Sequence, residues 1–444
     1  MVLAAGAAAV SLLAGSAQAV TGALRPAPRS HLWAWGTGNL GIGSPGTRTQ
    51  PQPVHGLAPA AVEQAVSYGP EAALLGDGTV WAWGSSGPLG NGGTAGSLSP
   101  VRVRSLSHVT ELAATTAALS TGLGTVYARR SDGTVWAWGY GKNGEIGNGA
   151  TANADTPVQV SGLTGVRSIT ASGDTAYALR GDGTVWAWGG GASGQLGNGS
   201  LTASAVPVQV SLKDKVRQLS ASCDTAYALT GGYRIFAWGL NNDGQLGDGS
   251  TTSSAVPVLV RGTNGAASVA AGCTHAYAIL SGTVRAWGLG AQGENGDGHM
   301  ATRLTPVKVT GLSKVVSVSA DHATGYAVLA DGTAWAWGYG RQGNLGDGQD
   351  ANSDVPVQIT GITAPIRSVI PADPGGYYAA PQQNFGGVVS VMALGADGSV
   401  WSWGYTGFGA SGGGGSGANP GRVPRLPAAT GLFPAPGPLW LASV

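Results

Sequence analysis

The sequence predicts an all-β fold, a single propeller built from four-stranded blades. Three observations carry this. Trp-Ala-Trp-Gly or a close variant recurs along the chain, ending at Gly36, Gly84, Gly139, Gly189, Gly239, Gly288, Gly338 and Gly404. Between Gly139 and Gly338 the successive steps are 50, 50, 49 and 50 residues. Fourteen of the 15 Trp residues lie in these marks, Trp440 alone falling outside. Repeats of this length, each holding several short strands, specify a propeller or solenoid rather than separate globular domains.

Composition agrees. The 78 Gly and 10% charged residues describe a chain of many turns, and 43% hydrophobic content is enough for a large core. The formal net charge is +1 with no basic block, so nucleic-acid binding gains no electrostatic support.

In chain order, residues 1–19 are apolar and uncharged and end in Ala17-Gln18-Ala19. This small-x-small ending predicts a signal peptide cleaved after Ala19. The other reading is an uncleaved Ala-rich membrane anchor. Either places the repeats outside the cytoplasm, and no second apolar span follows. The propeller is assigned to 20–444, with clear repeats over 31–426. Gly22-Ala23-Leu24-Arg25 resembles Tyr177-Ala178-Leu179-Arg180, and reads as a displaced copy of the strand before the Trp strand. Residues 31–36 form the first Trp strand. Residues 57–75 are the least regular; 60–66 could be helical behind Pro59, but the repeat context favours two degenerate strands.

Residues 131–160 show why each element forms. Asp132-Gly133 is a hairpin signal, because a tight turn needs positive φ, which Gly adopts freely. Val135-Trp136-Ala137-Trp138 is a short run of strand formers, apolar on both faces and so covered on both. Gly139 to Gly149 holds too many glycines for a helix or strand. Pro157-Val158-Gln159-Val160 begins a closing strand, with Pro at a strand start or sheet edge. In the next copy the four strands are 166–170, 176–180, 184–189 and 207–210.

Irregular units follow. Residues 233–238 come after Gly231-Gly232 instead of Asp-Gly, with Phe236 in place of the first Trp, and Arg285 stands there one unit on. Residues 371–387 read as a long loop and 411–417 as a flexible one. Residues 439–444 form a last strand. With 23–25 and 439–444 counted, every strand type occurs eight times, and the two chain ends share one blade.

The motifs DGTVWAWG, GQLGNG (194–199), GQLGDG (244–249) and PVQV resemble the repeats of the regulator of chromosome condensation, the RCC1-like propellers. Members usually have seven blades, so the resemblance implies seven where strand counting gives eight. The family's namesake is a nuclear guanine-nucleotide exchange factor. A signal-like start and the lack of a basic tail disfavour that role here. Secreted bacterial propellers of this repeat class include an inhibitor of class A β-lactamases, so enzyme inhibition is an alternative. A carbohydrate-active propeller is another.

Candidate chemistry is sparse. The Gly-rich loops lack the spacing of phosphate or calcium loops, and the Asp-Gly pairs at 77, 132, 182, 331 and 397 read as hairpin turns. No catalytic set, cofactor site or metal site is assigned. Cys223 and Cys273 share one repeat position on successive units. They form either a disulfide, as an exported protein would favour, or two buried thiols. Tyr140, Tyr339 and Tyr405 follow Trp-Gly, with Lys142 and Arg341 two residues after the first two. They would suit a protein-binding rim, or each Tyr could pack on the next blade. The sequence thus predicts a secreted or cell-surface, monomeric, non-catalytic scaffold. Its partner would be an extracellular or cell-envelope protein, with no nucleic acid and no membrane span after cleavage.

Overall fold

The computed structural model describes residues 32–58, 62–67, 70–115, 124–372, 390–405, 411, 413, 417–434 and 439–444. The predicted leader, the 22–25 segment, most of the 371–387 loop and most of 411–417 lie outside the described residues.

Eight four-stranded antiparallel sheets form eight blades around an axis. Their innermost strands touch in a closed cycle, the last returning to the first. The blade number is therefore eight, not the family's usual seven. The first blade is shared by the chain ends: Gly431–Pro434, Leu439–Ser443, Leu32–Gly36 and Arg48–Pro53, from axis to rim. Blades two to eight follow in chain order. In the fourth the strands are Val166–Ser172, Thr175–Arg180, Val185–Gly189 and Ser204–Gln209. The irregular 57–75 stretch yields strands Val62–Ser67 and Glu71–Leu75, not a helix.

Four details differ from the sequence reading. The place beside Leu32–Gly36 that 22–25 was expected to fill is held by Leu439–Ser443. The innermost strand Gly431–Pro434 is hidden in sequence by its Pro-spaced surroundings. Pro371 and Ala372 end the strand Ile366–Ala372 instead of starting a loop. The closing strands also begin earlier than predicted: Pro157 is the fourth residue of Ala154–Gln159, the outer edge strand of its sheet. Pairing shifts register between Ala154 and Val158, so the missing N–H costs no ladder bond.

The Asp-Gly pairs form hairpin turns of three residues, Arg130 N donating to Thr134 O across residues 131–133, and only the Gly takes positive φ. Gly133 has φ +77°. Asp132 Oδ1 accepts from Thr134 N at 3.0 Å and Thr134 Oγ1 at 2.6 Å, and Asp182 does the same with Thr184. These bonds hold the carboxyls of Asp132 and Asp182 below their usual range.

Blades are joined by a repeated clasp. Tyr127 Oη donates to Glu145 O at 2.7 Å, and Trp188 Nε1 of the next blade donates to the same carbonyl at 2.9 Å. Tyr177 and Trp238 meet on Gln195 O, Tyr227 and Trp287 on Gln245 O, and Tyr277 and Trp337 on Glu294 O. Edge-on ring contacts accompany them, as at Tyr127 and Trp188, 5.7 Å apart. Apolar clusters fill each interface: Val135, Ala137 and Ile146 of one blade pack on Ala176, Ala178 and Trp188 of the next. The Gly-rich loops belong to this joint. A Cβ on Gly197 would lie 2.7 Å from Trp238 Nε1.

Along the axis lies a cavity of about 360 Å³ lined by both polar and apolar residues of the innermost strands. Side chains there strap neighbouring innermost strands together. Gln64 Nε2 donates to Leu112 O, and Leu112 N to Gln64 Oε1, both at 2.7 Å. Glu111, buried, pairs with Arg129 of its own blade at 2.7 Å and accepts from Ser168 Oγ of the next innermost strand at 3.2 Å. No helix among the described residues is long and apolar enough to cross a membrane.

Candidate binding face

The antiparallel meander puts two kinds of connection on opposite faces. One face carries the turns between innermost and second strands, such as 173–174, and the long loops after the Trp strand. We call it the loop face. The other carries the Asp-Gly turns and the links to the next blade.

On the loop face a hydroxyl at the start of the second strand fixes the residue after Trp-Gly. Thr125 Oγ1 donates to Tyr140 O at 2.5 Å, Thr175 to Gly190 O at 3.1 Å, Thr225 to Leu240 O at 2.9 Å. Thr324 donates to Tyr339 O at 3.1 Å and Ser390 to Tyr405 O at 2.8 Å. The backbone is held alike in these five blades while the side chain changes: Tyr140, Gly190, Leu240, Tyr339, Tyr405.

All three tyrosines are half-buried; Lys142 and Arg341 are exposed. They share a face but not a patch. Tyr140 and Lys142 lie on the third blade; Tyr339 and Arg341 lie on the seventh, across the ring, with Tyr405 beside them on the eighth. Burial raises the Tyr339 hydroxyl pKa, with Arg341 opposing.

Between these patches the structure places an acidic pair that sequence reading passed over. Asp224 Oδ2 accepts from Ser193 Oγ at 3.3 Å and Asp224 Oδ1 from Gln195 Nε2 at 3.4 Å. Burial, then the charge of Asp174 on the neighbouring blade, pushes the Asp224 carboxyl up to about 6. The signal was present: both aspartates precede Thr-Ala-Tyr-Ala-Leu at one repeat position.

Cys223 and Cys273 are joined in a disulfide on this face, with Cα atoms 5.2 Å apart. It ties the fifth blade to the sixth. Cys223 takes φ +49°, where its counterpart Gly173 has +58°. Next to the bond, His275 replaces the repeat Thr and is fully buried. Neither ring nitrogen has a hydrogen-bond partner among the described residues. Burial, helped by the charge of His322, lowers its pKa to about 3. Among the described residues no group of three or more His, Cys, Asp or Glu could hold a metal ion.

Comparison with known proteins is decided by one match, to the RCC1-like domain over residues 31–380. The chain belongs to the RCC1-like domain family. It is 31% identical over 147 residues to the E3 ubiquitin-protein ligase HERC2 of Mus musculus, which covers 31% of this chain. The chain spans only 3% of that relative's length. Among solved structures, human WBSCR16 superposes with a TM-score of 0.59 at 20% identity, over 76% of this chain and 96% of that one. Prp20p of Saccharomyces cerevisiae, described as binding Gsp1p and histones, superposes at 0.60 with 16% identity, over 94% of this chain and 92% of that one. At these identities the likeness shows the fold.

Proposed function

We propose that this RCC1-like ring is a non-catalytic protein-binding scaffold that works in an oxidising compartment outside the cytoplasm and engages its partner with the loop face. The observation that carries this is the residue after Trp-Gly. Five of the eight blades hold its backbone by the same hydroxyl bond, while side-chain identity varies. A rigid ring with variable side chains on one face is how propellers acquire partners without altering the frame. Tyr and Arg on that rim are the residue types that dominate binding energy at interfaces. The Cys223–Cys273 bond supports an extracytoplasmic setting, because cytosolic thiols are kept reduced. That Prp20p is described as binding Gsp1p and histones supports protein binding as a use of this fold.

The test is site-specific photo-crosslinking in the native host, with a benzophenone amino acid at position 140, 339 or 363. Position 363 lies on the opposite face, in the link from the seventh to the eighth blade. Extracytoplasmic adducts from 140 and 339, reduced by Lys142→Glu and Arg341→Glu, are expected. Adducts to cytosolic proteins, or none from the loop face, would overturn the proposal.

A further inference from the structure

The fifth blade breaks the repeat at one turn on the face opposite the loop face. In the sibling blades Asp77-Gly78, Asp132-Gly133, Asp182-Gly183, Asp331-Gly332 and Asp397-Gly398 make this turn, each Gly at left-handed φ. In the fifth blade Gly232 stands for the Asp, Tyr233 for the Gly and Arg234 for the Thr or Ser. Tyr233 keeps the left-handed backbone, at φ +58°, a region that bulky residues rarely adopt. The frame explains that backbone. Tyr233 O accepts from Gly265 N at 2.9 Å and Ala266 N at 3.2 Å, as Gly183 O accepts from Val216 N at 2.9 Å. It does not explain a Tyr. The side chain is 51% exposed, and the Arg217 guanidinium lies 4.9 Å from its ring centroid.

Positive charge gathers around it. Arg167, Arg180, Lys213, Lys215, Arg217 and Arg234 lie on this face of the fourth and fifth blades, against Asp182 and Asp214. Arg180 reaches Asp182 at 3.7 Å, and Arg234 closes on Asp214 at 2.5 Å. Arg167, Lys213 and Arg217 carry no ion pair among the described residues; Arg167 Nη2 is held by Val216 O at 2.9 Å. Where Asp182 brings a carboxylate to Arg180 and Lys215, Gly232 brings none to the turn of the fifth blade.

We propose that this patch is a second docking surface, for an acidic segment of a partner protein. Carboxylates would meet Arg167, Lys213 and Arg217, and an apolar side chain would lie on the Tyr233 ring. The inference does not rest on the loop-face reading. A nucleic acid or sulfated glycan fits less well, because the cations flanking the patch are answered: Arg130 is spent on Asp132 at 3.3 Å, and Lys314 lies near Asp331. An Arg stacked on an exposed Tyr, with unpaired cations around it, matches carboxylates interleaved with apolar groups.

The experiment measures fluorescence anisotropy of a labelled Glu-Glu-Phe repeat peptide with the full chain, beside a Lys-Lys-Phe peptide. Thermal unfolding is recorded for every variant. The acidic peptide alone should bind, and high salt should weaken it. Arg217→Glu and Tyr233→Gly should each weaken it about tenfold or more, while Lys308→Glu on the outer strand of the sixth blade leaves it unchanged. Tyr233→Gly should unfold no earlier than the parent, since Gly accepts this φ freely, which separates lost binding from lost folding. Equal binding of both peptides, or undiminished binding by Tyr233→Gly and Arg217→Glu, would overturn the proposal. So would tighter binding of duplex DNA, a sulfated oligosaccharide or anionic phospholipid vesicles.

Discussion

At the residue scale, His275 makes the clearest demand. It fills a position that five other blades give to Thr or Ser, and it cannot make their bond to the carbonyl after Trp-Gly. Burial holds its pKa at about 3 against an ordinary 6.5. As pH falls below about 6.5 the unfolded chain takes up a proton that the folded chain refuses. Stability from this residue is therefore complete above that pH and is lost progressively as pH falls toward 3. At pH 5 the loss is about 2 kcal/mol. His275→Thr should recover roughly that amount at pH 5 and change stability far less at pH 8, by urea unfolding at the two values. An equal effect at both would mean that packing, not protonation, sets the difference. Comparing variants isolates His275 from Glu71, whose burial pushes its carboxyl up to about 8 and which loses stability as pH rises. The Cys223 and Cys273 pairing was open in the sequence because a shared repeat position fixes height but not distance from the axis. Asp174 and Asp224 were equally visible in sequence. Their chemistry was not, because it comes from burial and from a neighbour 50 residues away in the chain.

At the element scale, the Trp strand was legible because its apolar run and Asp-Gly start are local signals. The loop behind it was read correctly as repeated backbone geometry, but its partner was not visible: Gly197 is small because Trp238 of the next blade lies against it. This gives a coupled prediction. Gly197→Ala places a methyl 2.7 Å from Trp238 Nε1 at φ +63°, and should cost about 1–3 kcal/mol. Trp238→Phe removes the donor to Gln195 O and should cost about 1–3 kcal/mol. Together they should cost less than their sum by about 0.5 kcal/mol or more, because Phe vacates the indole edge that the new methyl strikes. Simple additivity in denaturant unfolding of the two single variants and the double would separate the loop from the Trp. The innermost strand Gly431–Pro434 was illegible for the opposite reason. It has no Trp mark, and its pairing with Leu439–Ser443 has meaning only once the ring is closed.

At the scale of the molecule, a net charge of +1 conceals a concentration of cations on one face of the fourth and fifth blades. Composition sums over what the fold separates. Closure is likewise a property of the whole. Among the described residues the last two strands complete the blade that the first two begin, so the hairpin of Leu32–Gly36 and Arg48–Pro53 gains a full sheet only with Gly431–Pro434 and Leu439–Ser443. Leu432 and Ala442 pack in the cluster with Trp35, Ile370 and Met392. Phe433 and Leu441 pack in the cluster with Leu32, Val62 and Trp83. Removing residues 431–444 would open both joints at once and bare two apolar blade faces and two sheet edges. The truncated chain should lose the parent's cooperative thermal transition and associate, by size-exclusion chromatography. A synthetic 431–444 peptide added in trans should restore monomer and transition together, because each lost contact lies on that segment. A truncated chain that stays monomeric and unfolds like the parent would show that seven blades hold the ring without the eighth's inner strands.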